Sequence, residues 1–334
     1  MAGNGGIIGP VNTVGCASTQ PARVTTFTTS SCTVTTKAKT TEIDYLVVAG
    51  GGTGSNSLGG GGAGGYRTSF PGGTKLTVTG STPYAVTIGG GGAHTIPGTS
   101  PGTPGANSIF NPGGSEGTTM ISATGGSGGV QVYQPAPLKP APGGSGGGGI
   151  YNCGTPHCAP LGNAGSYTPV EGYPGGPIIS MSPACKWGGS GGGGAGGAGL
   201  VNADPGGPGG PTGGTIAGRG GVGRTSCISG SPLSKGGGGG GGSYLGTGGA
   251  ASPCGSSSAG GGAPGAGTSA GANTGGGSGS VGNSPAGSGW SPATNNGGSG
   301  IIIIKEPQVC TEAPAPGVWS MNTVYDYVKR GKWV

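Results

Sequence analysis

Cys153-Gly-Thr-Pro-His157-Cys158 is the stretch of this chain whose residue types could hold a metal, because thiolate and imidazole are ligands of Zn2+. No second Cys/His pair at zinc spacing accompanies it and the other histidine is His94, so no metal is expected and a local disulfide or loop clasp fits better. The eight cysteines stand at 16, 32, 153, 158, 185, 227, 254 and 310. Cys153, Cys158, Cys185, Cys227 and Cys254 fall within one glycine-rich span. They could pair as disulfides in an oxidising exterior or stay as buried thiols, since cysteine also packs as a small hydrophobe, and both alternatives stand.

Acid–base and phosphate chemistry find little to work with. Between Phe110 and Gly300 the only acidic residues are Glu116, Glu171 and Asp204, too few and too scattered for paired-carboxylate hydrolysis, so no enzyme is expected. Matches to GxGxxG, as within Gly59 to Gly65, arise by chance in so glycine-rich a chain and lack the strand–turn–helix context. No Walker A sequence is present, and no cofactor is expected. The net charge of +6 is mild and dispersed, which argues against a nucleic-acid groove.

Aromatic side chains are what remains. Tyr133, Tyr151, Tyr167, Tyr173, Trp187, Tyr244 and Trp290 interrupt the glycine span, and aromatics in loops offer large, rigid contact area at modest entropic cost. As a set they are the candidate contact residues for recognition of a partner surface. Each taken singly could instead cap a glycine segment or anchor its own loop. In an up-and-down bundle alternate turns return to the base, so they cannot all face outward.

The elements that must position these residues are unusual. Ninety-three of 334 residues are glycine and only 7% are charged, against about 25% in ordinary globular domains. Low net charge removes the usual driver of disorder. Ordering glycine is nonetheless expensive, at about 1–2 kcal/mol per residue or more. With few side chains to bury, dense backbone packing and hydrogen bonding must offset that cost. The strict Gly-X-Y period of collagen is broken at Gly236 to Gly242, whereas Pro205-Gly-Gly-Pro208-Gly-Gly-Pro211 keeps three residues per turn, which predicts packed polyglycine-II helices.

Before that span the chain predicts short strands at Arg23 to Thr28, Cys32 to Thr36, Glu42 to Ala49, Lys75 to Thr79, Tyr84 to Ile88, Ser108 to Asn111 and Thr118 to Thr124. Tyr84-Ala-Val86-Thr-Ile88 alternates and should bury one face. Tyr45-Leu-Val-Val-Ala49 and Ile301 to Ile304 do not alternate and should be central strands covered on both sides. The expected fold class is all-β: an antiparallel β-sandwich base carrying a long Gly-rich insertion, plus a short C-terminal helix. The expected parts are an N-terminal arm (1–21), the base (22–124), the insertion (125–300), a closing strand (301–305), and a C-terminal linker and helix (306–334). In the last, Met321, Val324, Tyr325 and Val328 follow helical spacing, and with Trp319 and Trp333 they form an amphipathic assembly segment that needs a partner surface: the chain's own sandwich or another subunit. No apolar run approaches the ~18 residues of a membrane span, and the N-terminus lacks a charged signal-peptide start.

Asp44-Tyr-Leu-Val-Val-Ala-Gly-Gly-Gly52, Gly59-Gly-Gly-Gly-Ala-Gly-Gly-Tyr-Arg67 and Gly297-Gly-Ser-Gly-Ile-Ile-Ile-Ile-Lys305 together resemble the glycine-rich domain of bacteriophage tail fibres and adhesins, over roughly Arg23 to Lys305. Gly6-Ile-Ile-Gly-Pro-Val-Asn12, Gly317-Val-Trp-Ser320 and Gly331-Lys-Trp333 look like segments of virion structural proteins in marine tailed phages. The chain departs from the adhesins in its many cysteines and Pro-rich loops. The resemblance implies a polyglycine-II stack whose free-end loops contact a host surface glycan or outer-membrane protein, in a tail fibre or tip adhesin located on the virion. It also implies other virion proteins as partners and a homo-oligomer such as a trimer, although a monomeric tip is equally consistent. The alternative is a capsid decoration or fibre protein with a purely structural role.

Overall fold

Alternation decides which strands of this chain line one core and which line two. The computed structural model describes residues 7–8, 18–30, 32–56, 58–94, 101–131, 140–150, 159–177, 188–201, 217–243, 248–250, 267–281, 295–311, 318–319, 324–325 and 328–330. Ahead of the long glycine tract come β1 (Ile7–Ile8), β2 (Ser18–Gln20), β3 (Arg23–Phe27), β4 (Cys32–Thr35), β5 (Glu42–Val48), β6 (Tyr66–Thr68), β7 (Leu76–Thr77), β8 (Pro83–Thr87), β9 (Ser108–Phe110) and β10 (Ile121–Ala123). Within the tract lie β11 (Arg224–Ser226) and β12 (Leu233–Lys235), and after it β13 (Ile301–Glu306), β14 (Val309–Thr311) and β15 (Val318–Trp319).

The strands pair antiparallel. One sheet runs β3-β13-β5-β6, with β7 alongside the start of β5, and a second runs β10-β9-β8-β4. The two non-alternating segments are neighbours: Ile301 pairs with Val48 and Ile304 with Tyr45. Because side chains alternate across a strand, this register sends Tyr45, Val47, Ile302 and Ile304 to one face and Leu46, Val48, Ile301 and Ile303 to the other. The first set joins Phe27, Val86, Phe110 and Ile121 in a core between the two sheets. There the Tyr84 and Phe110 rings stack with centroids 5.5 Å apart. The second set packs on the outer face beneath the β11–β12 hairpin, against Ile228 and Leu233. Full burial of each such aliphatic side chain stabilises by about 1.5–3 kcal/mol, so covering both faces of β5 and β13 makes them the centre of the fold. In contrast, β8 alternates and buries only Tyr84 and Val86.

A polar latch fixes the far end of β13. The buried Glu306 carboxylate pairs with Arg23 of β3 and accepts from the Lys37 N–H at 2.7 Å and the Thr40 hydroxyl at 3.0 Å. The Lys37 ammonium donates to the Pro21 and Pro307 carbonyls at 2.8 and 2.7 Å.

The described glycine segments form neither α-helix nor β-sheet, and their hydrogen bonds explain why. Along 60–65 the successive N–H groups donate to Ser190, Ser278, Ser127, Gly193, Gly275 and Thr124. The partner segment thus recurs every third residue: 190 then 193, 278 then 275, 127 then 124. The carbonyls of the same segment accept from Gly148, Gly239, Gly52, Ser145 and Ala49. One extended segment is therefore bonded in several directions to six neighbours, where a strand bonds to two in one plane. Serine fits this interior because its hydroxyl bonds to backbone: Ser190 Oγ donates to the Gly149 carbonyl at 3.1 Å, and Ser278 Oγ accepts from the Gly54 N–H at 2.8 Å. The stack extends beyond the long tract, since 50–65 and 102–106 also take part through bonds such as Thr53 N–H to Thr103 and Gly105 N–H to Gly126.

At the C-terminal end, β15 pairs with β1 through Ile7 and Trp319, and residues 324–325 and 328–329 have helical backbone. Met321 and Trp333 lie outside the described residues.

Candidate functional site

The stack has two distinguishable ends. At one, 49, 65, 124, 275 and 300 lead into or abut β5, β6, β10 and β13 of the sheets. At the other, the chain reverses between Ser55 and Gly59, and other segments gather around that reversal. Gly242 N–H and Ser280 Oγ both donate to the Leu58 carbonyl, at 2.7 and 2.8 Å, and Val281 N–H donates to Ser55 at 3.3 Å. Val130 N–H bonds to Gly148, Gly189 N–H to Gly242 and Ser190 N–H to Gly149, at 3.0, 2.9 and 3.0 Å. The Asn295 side chain donates to the Gly54 and Gly279 carbonyls at 3.2 and 2.9 Å.

These neighbours bracket the aromatic candidates. Tyr133 follows Gln131 by two residues, Tyr151 follows Ile150, Trp187 precedes Gly188, Tyr244 follows Ser243, and Trp290 falls between Val281 and Asn295. The five aromatics themselves lie outside the described residues, but their attachment points converge on the Leu58 end, away from the sheets. Nothing in the individual tripeptides signals this; it follows from the direction in which each glycine segment runs.

Tyr167 and Tyr173 are placed differently. Both belong to 159–177, which folds back against the sheet end. The Asn163 carboxamide organises this loop: its Oδ1 accepts from the Tyr167 and Glu171 N–H groups, both at 3.2 Å, and its Nδ2 donates to the Tyr167 carbonyl at 3.1 Å. Asn163 has φ of 57°, a left-handed conformation that asparagine tolerates better than most residues. The Tyr167 ring lies under the Arg67 guanidinium, 3.6 Å from its carbon, and Arg67 also pairs with Glu116 and donates to the Ser122 carbonyl at 2.8 Å. Burial, followed by the Glu116 charge, pushes the Tyr167 phenol up, so the ring serves as a neutral platform for Arg67. Tyr173 is partly exposed, and its main chain bonds within the stack, with its N–H to Gly194 and its carbonyl from Gly146.

The acidic residues are engaged structurally. Glu116 pairs with Arg67. Glu171 is fully buried, and its carboxylate accepts from the Thr124 N–H at 2.9 Å and the Gly165 N–H at 3.2 Å, tying loop to stack. Glu171→Ala orphans both donors, and each buried unmet group costs ~1–3 kcal/mol. A urea unfolding midpoint well below that of the parent is the expected outcome; an unchanged midpoint would refute the anchoring role. Asp204 lies outside the described residues, among which no group of three His, Cys, Asp or Glu is arranged for a metal.

Of the cysteines considered for disulfides, Cys227 is a free, exposed thiol, and Cys153, Cys158, Cys185 and Cys254 lie outside the described residues. Tyr325 and Val328 of the assembly segment are exposed, and Val324 is half-buried. The family described as a glycine-rich domain matches residues 25–306. No curated protein matches the chain.

Proposed function

The chain belongs to the glycine-rich domain family, and from that membership we propose that it is a virion protein of a tailed bacteriophage, a tail fibre or tip adhesin that binds a host surface glycan or outer-membrane protein. The contact surface is the set of loops leaving the Leu58 end of the stack, with Tyr133, Tyr151, Trp187, Tyr244 and Trp290 as its aromatic anchors. The observation that carries this reading is the convergence of their five attachment points at the end opposite the sheets. Tyr167 and Tyr173 are assigned to holding loop 159–177 rather than to the receptor.

In this reading the glycine segments are polyglycine-II helices. The three-residue recurrence of bonding partners around 60–65 supports it, since that helix has three residues per turn and no internal hydrogen bonds. The C-terminal segment is an amphipathic helix that docks on another virion protein or trimerises the chain, which the exposure of Tyr325 and Val328 supports.

Purified protein is expected to compete with phage for adsorption to host cells. Replacing Tyr151, Tyr244 and Trp290 together by serine should remove that competition while leaving the unfolding midpoint in place. A triple variant that competes as well as the parent would sink the assignment of the face. Immunogold labelling provides the second readout: label at the tail tip accords with adhesion, whereas label confined to the head overturns it in favour of capsid decoration.

A further inference from the structure

An edge strand carries one row of N–H and carbonyl groups that its own sheet leaves unpaired, and these can recruit another strand. On most edges of the base that row is engaged. On β6 the Tyr66 N–H donates to the Glu171 carbonyl, and on β7 the Thr77 N–H donates to the Thr118 carbonyl, both at 2.8 Å. On β10 the Ser122 carbonyl accepts from the Arg67 guanidinium at 2.8 Å, and on β4 the Thr35 carbonyl accepts from Arg23 at 2.6 Å.

The exception is β3. It ends the sheet order β3-β13-β5-β6, and apart from its ladder with β13 the main chain of 23–27 bonds to no other described segment. Natural edges are blunted by charge, proline, a bulge or a covering loop. From Val24 to Ser30 the sequence Val-Thr-Thr-Phe-Thr-Thr-Ser holds no charge, proline or glycine, and the register with β13 runs from Arg23 to Phe27 without a bulge. Phe27 points into the core between the sheets, so Arg23 and Thr25 share its face while Val24 and Thr26 lie on the outer one. The Arg23 cation is engaged by Glu306 and the Thr35 carbonyl and does not guard the edge. Val24 and Thr26 are exposed.

We propose that β3 is a pairing edge for a second copy of this chain: two β3 strands join antiparallel about a two-fold axis at Thr25 and merge two sheets into one. Self-complementarity favours this occupant, since the same patch on both copies must suit itself. In that register 23–27 overlap fully. Thr25 faces Thr25 of the second copy, and Val24 faces Thr26 in two symmetric pairs, so the outer face meets in β-branched residues that suit a pleated sheet. Arg23 faces Phe27, so no like charges are opposed. Phe27 pairs with Ile302, next to where the stack enters the sheet, so the two stacks leave the pair in opposite directions. The contact uses none of the loops at the Leu58 end and stands or falls separately from the receptor-binding reading.

Sedimentation equilibrium of the full chain tests this, with a reductant present so that cysteines do not cross-link copies. The parent is expected to pass reversibly from the mass of one chain to that of two as concentration rises. Val24→Lys with Thr26→Lys sets like charges opposite each other in both symmetric pairs, whereas Val24→Lys with Thr26→Glu sets opposite charges there. The dimer dissociation constant of the first double variant should exceed that of the second about tenfold or more, and high salt should narrow the gap. A parent that stays monomeric at every concentration, a trimer, or a dimer indifferent to the two variants overturns the proposal. Hydrogen exchange of the parent gives a second reading that holds even if a variant fails to fold. Amides within 23–27 should gain protection as concentration rises, and exchange there that ignores concentration overturns the pairing.

Discussion

Alanine in place of Gly61 or Gly62 is expected to deprive the chain of a stable fold. A methyl group on Gly61 would fall on the Gly52 carbonyl and lie 2.8 Å from the Thr53 carbonyl carbon. One on Gly62 would fall on the Ser145 carbonyl and lie 2.7 Å from the Gly146 carbonyl carbon. Overpacking an ordinary core costs ~1–3 kcal/mol because side chains can rotate away. Here the atoms in the way are backbone, each held by its own hydrogen bonds to further segments, so relief requires moving whole segments of the stack. A cost of about 3 kcal/mol or more is expected, a large part of the ~5–15 kcal/mol that separates folded from unfolded domains. Gly90→Ala is the matched control, because its methyl would meet nothing within 4 Å. That variant should be neutral, or more stable by up to ~1 kcal/mol through the less flexible unfolded chain. Soluble yield and urea midpoints read the comparison. Equal midpoints for Gly61→Ala and Gly90→Ala would show that the segments pack more loosely than their geometry states.

The second large effect is expected at the latch on β13. Glu306→Ala removes the acceptor for Arg23, the Lys37 N–H and the Thr40 hydroxyl at once, leaving one partly buried and one buried donor unmet. Breaking a buried pair costs ~3–5 kcal/mol, but the Arg23 side chain is 42% exposed and regains water, so about 3 kcal/mol is expected. Glu306→Gln keeps an oxygen for Lys37 and Thr40 and loses the charge, so roughly 1 kcal/mol is its expected cost. Denaturant midpoints in the order parent, Gln, Ala check this. An Ala variant as stable as the Gln variant would mean that the uncharged hydrogen bonds contribute nothing.

How much of this was visible beforehand depends on whether side chains or main chain carried the information. That Tyr45-Leu-Val-Val and Ile301 to Ile304 are central strands was legible because continuous apolar runs need cover on both faces; that they lie side by side came from the register. The alternation at Tyr84 to Thr87 was legible for the complementary reason. Tyr66–Thr68 and the hairpin of Arg224–Ser226 with Leu233–Lys235 were missed, since three-residue strands hold too few alternations to rise above turn-rich surroundings. The neighbours of each glycine segment could not be read at all: they are chosen by N–H and carbonyl groups that every residue possesses, and a tract such as Gly236 to Gly242 is identical in every register. The placement of Tyr167 against Arg67 depended on the same long-range folding, which brings residues far apart in sequence into one cation–π contact.

The sheet order β3-β13-β5 also has a consequence in time. The strand between the two early ones is the last of the three to leave the ribosome, with Glu306 emerging 283 residues after Arg23, the partner it pairs with. Until then β3 and β5 have no common neighbour, one apolar layer lacks Ile302 and Ile304, and the other lacks Ile301 and Ile303. The whole glycine tract must therefore be synthesised, and its ends drawn together, before the sheet can close. Contacts at such sequence separation pay their loop-closure entropy before they return any energy, which places this chain among slow folders. Sheet closure thus waits for β13 to emerge, and a nascent chain stopped short of it leaves the slot between β3 and β5 unfilled.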